Sequence, residues 1–456
     1  MKLDIRLTGV VASLLLAGTA QATNGYFTDG AGTANKGLAG AGSADPEEAM
    51  IAATNPAGLA FLDDSAQLGL ELFSPERSYS TSASLANGNG GAFTIGPNAL
   101  DSANKLFPIP YFALRRQLDS EDSLGFAFYA RGGMNTKWVG GTATFDPDGP
   151  GPAPVMTLPG SYGMGTAGVD LMQGFLNLSL AHAMLDRHLS VGASLIFAAQ
   201  RFEARGLGAF AGYTETFAAS GGTMLPTALS DNGHDMSYGG GASVGIEWRP
   251  AEQWALAAAY TSKMYMSKFT RYRDLFAGGG SFDIPASATV GVTFKPAPPV
   301  ALDFDVQRIW YNDIASVGNP IENLFGCPTA GAGGTDLQSC LGGSHGPGFG
   351  WQNMTVYKVG MRWQVDSAWT ARFGVSHGRQ PIPSSQVTLN ILAPGVIENH
   401  VALGFTHDDG VHGQFNLALT YAANKTVSGT NTFDPTQTIT LRMHQYDLEF
   451  GYAWKH

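Results

Sequence analysis

Lys358, Arg362 and Arg372 fall on one side of two successive segments in which apolar and polar residues alternate. In VYKVGMRWQV, Tyr357, Val359, Met361 and Trp363 take the other side. The preceding segment, VALDFDVQRIW, places Asp303 and Asp305 with the parity of these bases, and Arg308 with the opposite parity. Three cations on one face can hold an anion such as a carboxylate, or can pair with the acids and brace a wall; the pattern admits both. A fourth base, Arg131 in GFAFYARGGMNTKW, follows Gly125, Ala127 and Tyr129 by parity and precedes Gly132-Gly133. Glycine inside a strand marks a bulge, a kink or a close backbone approach, and the plainer reading is a strand end running into a loop.

Other chemistry is weaker. Gly163, Gly165 and Gly168 form a G-x-G-x-x-G but lead into a strand, so no helix N-terminus is present to hold a phosphate. Gly241, Ser243 and Gly245 form a G-x-S-x-G in mid-strand, without the strand-turn-helix that a nucleophile elbow needs. A lipid hydrolase would require Ser243 or Ser376 to meet a histidine such as His377 or His444. Cys327 and Cys340 share one Gly-rich loop. A local disulfide is expected in an oxidising compartment; the alternative, a metal pair completed by His345, has no fourth ligand. No cofactor is expected.

These residues need strands to position them. Period-2 alternation recurs along the chain, with short turns at 185–188, 249–253, 295–299, 366–368 and 408–412. Long loops lie between, near 140–165, 206–233, 270–284, 312–353, 380–397 and 425–438. Short turns on one side and long loops on the other describe an outer-membrane barrel of about 14 antiparallel strands. Its first strand is expected to begin at Gln67 and give way to a polar loop after Phe73. A lipid-facing Arg or Lys near midplane costs roughly 2–4 kcal/mol, so the charged face is the lumen. The opening residues, with Lys2, Arg6, a short apolar core and Ala20-Gln21-Ala22, read as a signal peptide over 1–22. No segment approaches the roughly 18 apolar residues of a spanning helix. Only 14% of residues are charged, against about 25% in soluble domains. The acidic net charge of −11 speaks against nucleic-acid binding.

Residues 23–62 differ from the rest of the chain: they are rich in Gly and Ala, and closed by Asn55-Pro56-Ala57-Gly58. They read as a compact hatch inside a barrel formed by 63–456. The N-terminal NGYF, the run KGLAGAG, the closure NPAGLAF and the distant PIPSSQVTLNILAPGVIENHVALGFTH together resemble the FadL-like outer-membrane transporters of long-chain fatty acids and other hydrophobic compounds. The resemblance implies that the third strand kinks inward at Gly132-Gly133, leaving a gap in the wall. It also implies that Phe210, Phe217, Leu275 and Phe276, in two long loops, belong to a hydrophobic capture groove. Packing that simply caps the barrel would equally use such apolar residues.

The expectation is therefore passive uptake of a fatty acid or similar molecule. Loops capture it, a lumen base (Arg131, Lys358, Arg362 or Arg372) pairs its carboxylate, the hatch shifts near Phe27, and the ligand leaves sideways. Each buried CH₂ is worth about 0.8 kcal/mol, so an acyl chain needs an exit that avoids water. An aromatic hydrocarbon channel, a lipid hydrolase and a purely structural barrel are the rival expectations. The partners expected are the hydrophobic ligand and outer-membrane lipid, with no obligate protein partner evident.

Overall fold

A strand whose alternate side chains must face lipid and a filled lumen can satisfy its backbone only by pairing on both edges, which forces closure. The computed structural model describes residues 24–146 and 154–455, and fourteen antiparallel strands close into a barrel. They are β1 Ser65–Thr81, β2 Phe107–Gln117, β3 Asp122–Asn135, β4 Gly168–Met184, β5 Leu189–Arg205, β6 Asp235–Ala251 and β7 Trp254–Thr261, then β8 Ser287–Ala297, β9 Val300–Ile309, β10 Met354–Gln364, β11 Trp369–Gly378, β12 Asn399–Asp408, β13 Gly413–Asn431 and β14 Asp434–Lys455. Closure is made by β1 against β14, in register from Ser65↔Lys455 to Thr81↔Ile439. The predicted leader, residues 1–22, lies outside the described residues. No helix among the described residues is long and apolar enough to cross a membrane.

Burial follows the parity. Glu71, Arg115, Glu247, Asp303, Asp305 and Glu449 are buried inside, while Leu68, Leu70, Phe304, Val306, Tyr357 and Val359 are exposed outside. Trp248, Trp254, Trp363, Trp369 and Trp454 are exposed near the short turns, as one interfacial girdle of a membrane barrel would be. Two expectations about length fail. The first strand continues eight residues beyond Phe73 to Thr81, and 425–438 is a hairpin extending β13 and β14 rather than a loop.

Residues 24–62 form a short helix, Thr33–Lys36, and two 3₁₀ turns, Ala49–Ala53 and Pro56–Phe61, packed against lumen-facing side chains. Asn55 caps the last turn by accepting from Ala57 N, and its amide donates to Ser43 O. Close approach requires glycine in the wall: a Cβ at Gly245 would stand 2.1 Å from Asn55 Oδ1, and one at Gly192 2.4 Å from Ala57 N. The lumen ions face this segment as well. Lys36 pairs with Glu71 and, at 3.3 Å, with Glu449. Burial opposes its charge, but these carboxylates hold the ammonium above its ordinary pKa.

Candidate functional site: an apolar chamber, a latch and a window in the wall

Long loops that are apolar must bury their side chains against one another, and here the burial leaves a space. Phe202 and Val169 at the outer ends of β5 and β4 meet Phe210, Leu275, Phe276, Leu324, Phe349, Leu392 and Phe433 from five loops around a chamber. The cavity enclosed between them is about 40 Å³, so the loops are packed nearly shut and must part to admit a ligand. No charged side chain among the described residues lines the chamber. Phe210, Leu275 and Phe276, expected from sequence, belong to this lining. Phe217 does not; it lies half-buried on the short helix Glu215–Ala219 nearby. Cys327 and Cys340 are joined in a disulfide in one of the contributing loops.

Below the chamber, Tyr26 packs its ring 5.7 Å from Trp351, 6.3 Å from Phe282 and 5.1 Å from Tyr311. The Tyr311 hydroxyl donates to Asn24 O and accepts from the amides of Tyr26 and Phe27 at 3.3 Å. The N-terminal stretch of the hatch is thus latched under the chamber by a residue from the loop after β9.

The same stretch pairs with the wall. Between β3 and β4 the register slips at Arg131, which is the extra residue of a bulge: Ala130 faces Gly174 and Gly132 faces Gln173. A bulge bends its strand, and β3 leans into the lumen. Thr28 N donates to Arg131 O at 2.8 Å, Gly133 N donates to Tyr26 O at 3.1 Å, and Phe27 bridges Gly132. A Cβ at 132 would lie 2.3 Å from Gln173 Oε1 and 3.0 Å from Tyr26 O, so a side chain there must displace the Gln173 amide and press on the Tyr26 backbone.

Because β3 turns inward, it leaves β2. The ladder between them runs from Gln117↔Ser123 to Phe112↔Phe128 and goes no further, although β2 continues to Phe107 and β3 to Asn135. Above this break the loop before β2 meets the chain just beyond β3, with Ala103 N donating to Lys137 O at 2.9 Å. The result is a window framed by backbone on four sides and filled by Phe73, Phe107, Ile109 and Ala130, a cluster separate from the main apolar core.

The sequence-predicted bases divide by environment. Arg372 holds Glu47 of the hatch through two hydrogen bonds of 2.9 and 2.6 Å. Arg362 pairs with Asp45 at 2.6 Å and Glu47 at 3.2 Å. Burial works against ionisation of Glu47, but Arg372 and Arg362 outweigh it and hold the carboxyl down to about 2. Lys358 donates to Asp29 O at 2.8 Å and Gly40 O at 3.2 Å, both on the hatch. These three bases hold the hatch to the wall and lie away from the chamber. Arg131 is different: buried, its guanidinium lies 4.7 Å over the Phe27 ring and donates to Ser287 Oγ at 2.8 Å, with no ion pair among the described residues. The proposed hydrolase partners do not converge. Ser243 faces the lumen while His444 faces outward beside Tyr446, and Ser376 meets His400 instead of His377, Oγ to Nδ1 at 3.0 Å.

The model of the outer membrane protein transport family, OMPP1/FadL/TodX, matches residues 10–450. The chain belongs to this family. It is a FadL/TodX channel of the bacterial outer membrane for hydrophobic compounds, and the family is made of transport channels. Among solved structures, the toluene transporter TodX of Pseudomonas putida aligns with a TM-score of 0.60 at 16% identity, over 94% of this chain and 99% of that one. A Pseudomonas aeruginosa FadL homologue gives 0.63 at 16%, over 95% and 99%. The Ralstonia pickettii toluene transporter TbuX gives 0.55 at 14%, over 94% and 99%. A comparison with curated proteins finds no match. At these identities the likeness is one of fold.

Sequence reasoning missed most of the chamber wall, including Phe202, Phe349 and Phe433, because Phe202 reads as one more strand residue, Phe349 and Phe433 lie in Gly-rich or polar connections, and only the fold brings them together. It also missed Tyr311 and Trp351, for the same reason.

Proposed function

We propose that this FadL/TodX channel takes up hydrophobic monocarboxylates, of which long-chain fatty acids are the simplest, and releases them sideways into the bilayer. The apolar chamber wall takes the hydrocarbon body once its loops part. The head is read by Arg131, and this residue carries the proposal: a buried cation with no carboxylate partner among the described residues, placed between the latch and the window. Burying a charge without a counter-ion is costly, and an incoming carboxylate relieves that cost with charge-assisted hydrogen bonds.

Sideways release is supported by the polarity of the alternative route. Toward the short turns the lumen opens into recesses lined by Glu47, Arg362, Gln364, Arg372, Gln414 and Asn416, surroundings in which an acyl chain loses its apolar contacts. The window filled by Phe73, Phe107 and Ile109 leads from one apolar medium to another. Nothing in this route calls for an energy source, since binding and release are both downhill toward the membrane.

A second reading, a neutral aromatic hydrocarbon as cargo, is favoured by the uncharged chamber lining and by relatives named as toluene transporters. Saturable binding of radiolabelled hexadecanoate and 1-hexadecanol to the protein in amphipol separates the two. The acid is expected to bind about tenfold tighter, as one charge-assisted bond provides, and Arg131→Met is expected to remove that advantage. Equal binding of acid and alcohol with displacement by toluene would favour the hydrocarbon; no saturable binding would reject both.

A further inference from the structure

Arg77 on β1 is a buried cation that the hatch does not engage. Its side chain is only 3% exposed, and it points into the lumen by the parity of Phe73 and Tyr79. Nη1 donates to Asn135 O at 3.0 Å, tying β1 to β3 just beyond the inward bend. Nη2 is buried and has no hydrogen-bond partner among the described residues. No carboxylate among them lies within ion-pair distance. The guanidinium stands 6.0 Å from the Phe73 ring.

The position matters as much as the missing partner. Phe73 belongs to the cluster that fills the window, and Tyr79, the next inward-facing position after Arg77, belongs to the large core that includes the chamber. Arg77 therefore marks the boundary between the two apolar regions, at the window's rim on the loop side. Arg131 stands at the bulge that opens the same window, and Arg77 grips the strand four residues later at Asn135. A brace alone would need only the donor on Nη1; a buried unsatisfied donor on a charged group is the expensive part.

We infer that Arg77 is a second station for the anionic head of the cargo, taking the carboxylate from Arg131 as the tail enters the window. The inference rests on the acid-cargo reading above and adds a step to it. Without a cation at the rim, the head would cross the apolar window of Phe73, Phe107 and Ile109 either uncompensated or only in its rare protonated form. With Arg77 there, the carboxylate exchanges one guanidinium for another, and Nη2 breaks no existing bond to receive it. Arg77 then acts on the rate of exit, and Arg131 on the strength of binding.

The test is uptake of radiolabelled hexadecanoate and 1-hexadecanol by cells that lack their own hydrophobic-compound channels and express the full-length protein. The readout is the ratio of acid to alcohol uptake, which does not depend on how much barrel folds. Arg77→Gln keeps a donor for the Asn135 carbonyl but no charge; it is expected to lower the ratio about tenfold, while equilibrium binding of hexadecanoate to the purified variant stays within twofold of wild type. Arg77→Lys is expected to restore most of the ratio. An unchanged ratio in Arg77→Gln, or equal losses of acid and alcohol uptake, would overturn the proposal and leave Arg77 a brace. If wild-type protein binds the acid no better than the alcohol, the acid-cargo reading itself fails, and that result comes from the binding arm alone.

Discussion

At the scale of single residues, parity alone turned Lys358, Arg362, Arg372 and Arg131 inward, and it did so correctly because a two-residue period leaves only two faces. What parity left open was the occupant on the other side. Asp45 and Glu47 come from a hatch more than 300 positions away, and Glu47 in the run Asp45-Pro46-Glu47-Glu48 gives no local hint of meeting Arg372. Arg77 was hidden for another reason: Pro75 and Glu76 beside it read as the start of a loop, whereas Pro75 sits within β1. Glu47→Gln is expected to loosen the hatch by roughly 2–4 kcal/mol, the scale of breaking a largely buried ion pair, seen as faster hydrogen exchange at the amides of Leu38 to Asp45. The pH dependence has a fixed sign. The folded-state pKa of Glu47, about 2, lies below its ordinary 4.5, so its stabilisation is whole above about 4.5 and drains away as pH falls toward 2. Hatch protection should therefore be weaker at pH 3 than at pH 6 in wild type, with the Glu47 part of that change absent from Glu47→Gln. Identical pH responses in the two proteins would mean that Glu47 is not an anchor.

At the scale of elements, the window depends on one bulge. Arg131 is extra in the β3–β4 ladder, the strand bends, and the β2–β3 ladder ends at Phe112↔Phe128. The sequence signalled this with Gly132-Gly133, whose lack of side chains lets Tyr26 and Phe27 pair against them; it did not signal which neighbour the strand would abandon. Gly132→Leu is expected to push against Gln173 and the Tyr26 backbone and to reduce hydrophobic uptake at least fivefold, with the barrel still resistant to SDS before heating. Undiminished uptake would count against the window as the exit. The cap on the last hatch turn is separate: Asn55→Ala removes the bond to Ala57 N and is expected to lower stability by about 1 kcal/mol, or more because its amide also holds Ser43 O, as measured by urea denaturation of the folded barrel.

At the scale of the whole molecule, polarity is layered. The loops enclose an uncharged chamber, the middle holds the latch and the inward bend, and the half nearest the short turns is a network of hatch carboxylates and wall bases. The alternation of short turns and long loops made the barrel and its fourteen strands legible, since that rhythm is local. The chamber was legible only in part, because it draws scattered apolar residues from five separate loops. On the proposed reading, a hydrophobic cargo passes from the chamber to the window and turns sideways before the polar half begins. A hexadecanoate carrying a diazirine at its tail, bound to the protein in lipid vesicles and activated by light, reports that path through the residues it labels. The account predicts label at chamber residues such as Phe202 and Phe276 and at Phe107, Ile109 or Ala130 in the window. Label absent from the window and present instead on Phe61, Leu62 or Gln414, beside the polar recesses, would show passage straight through the lumen and contradict sideways release.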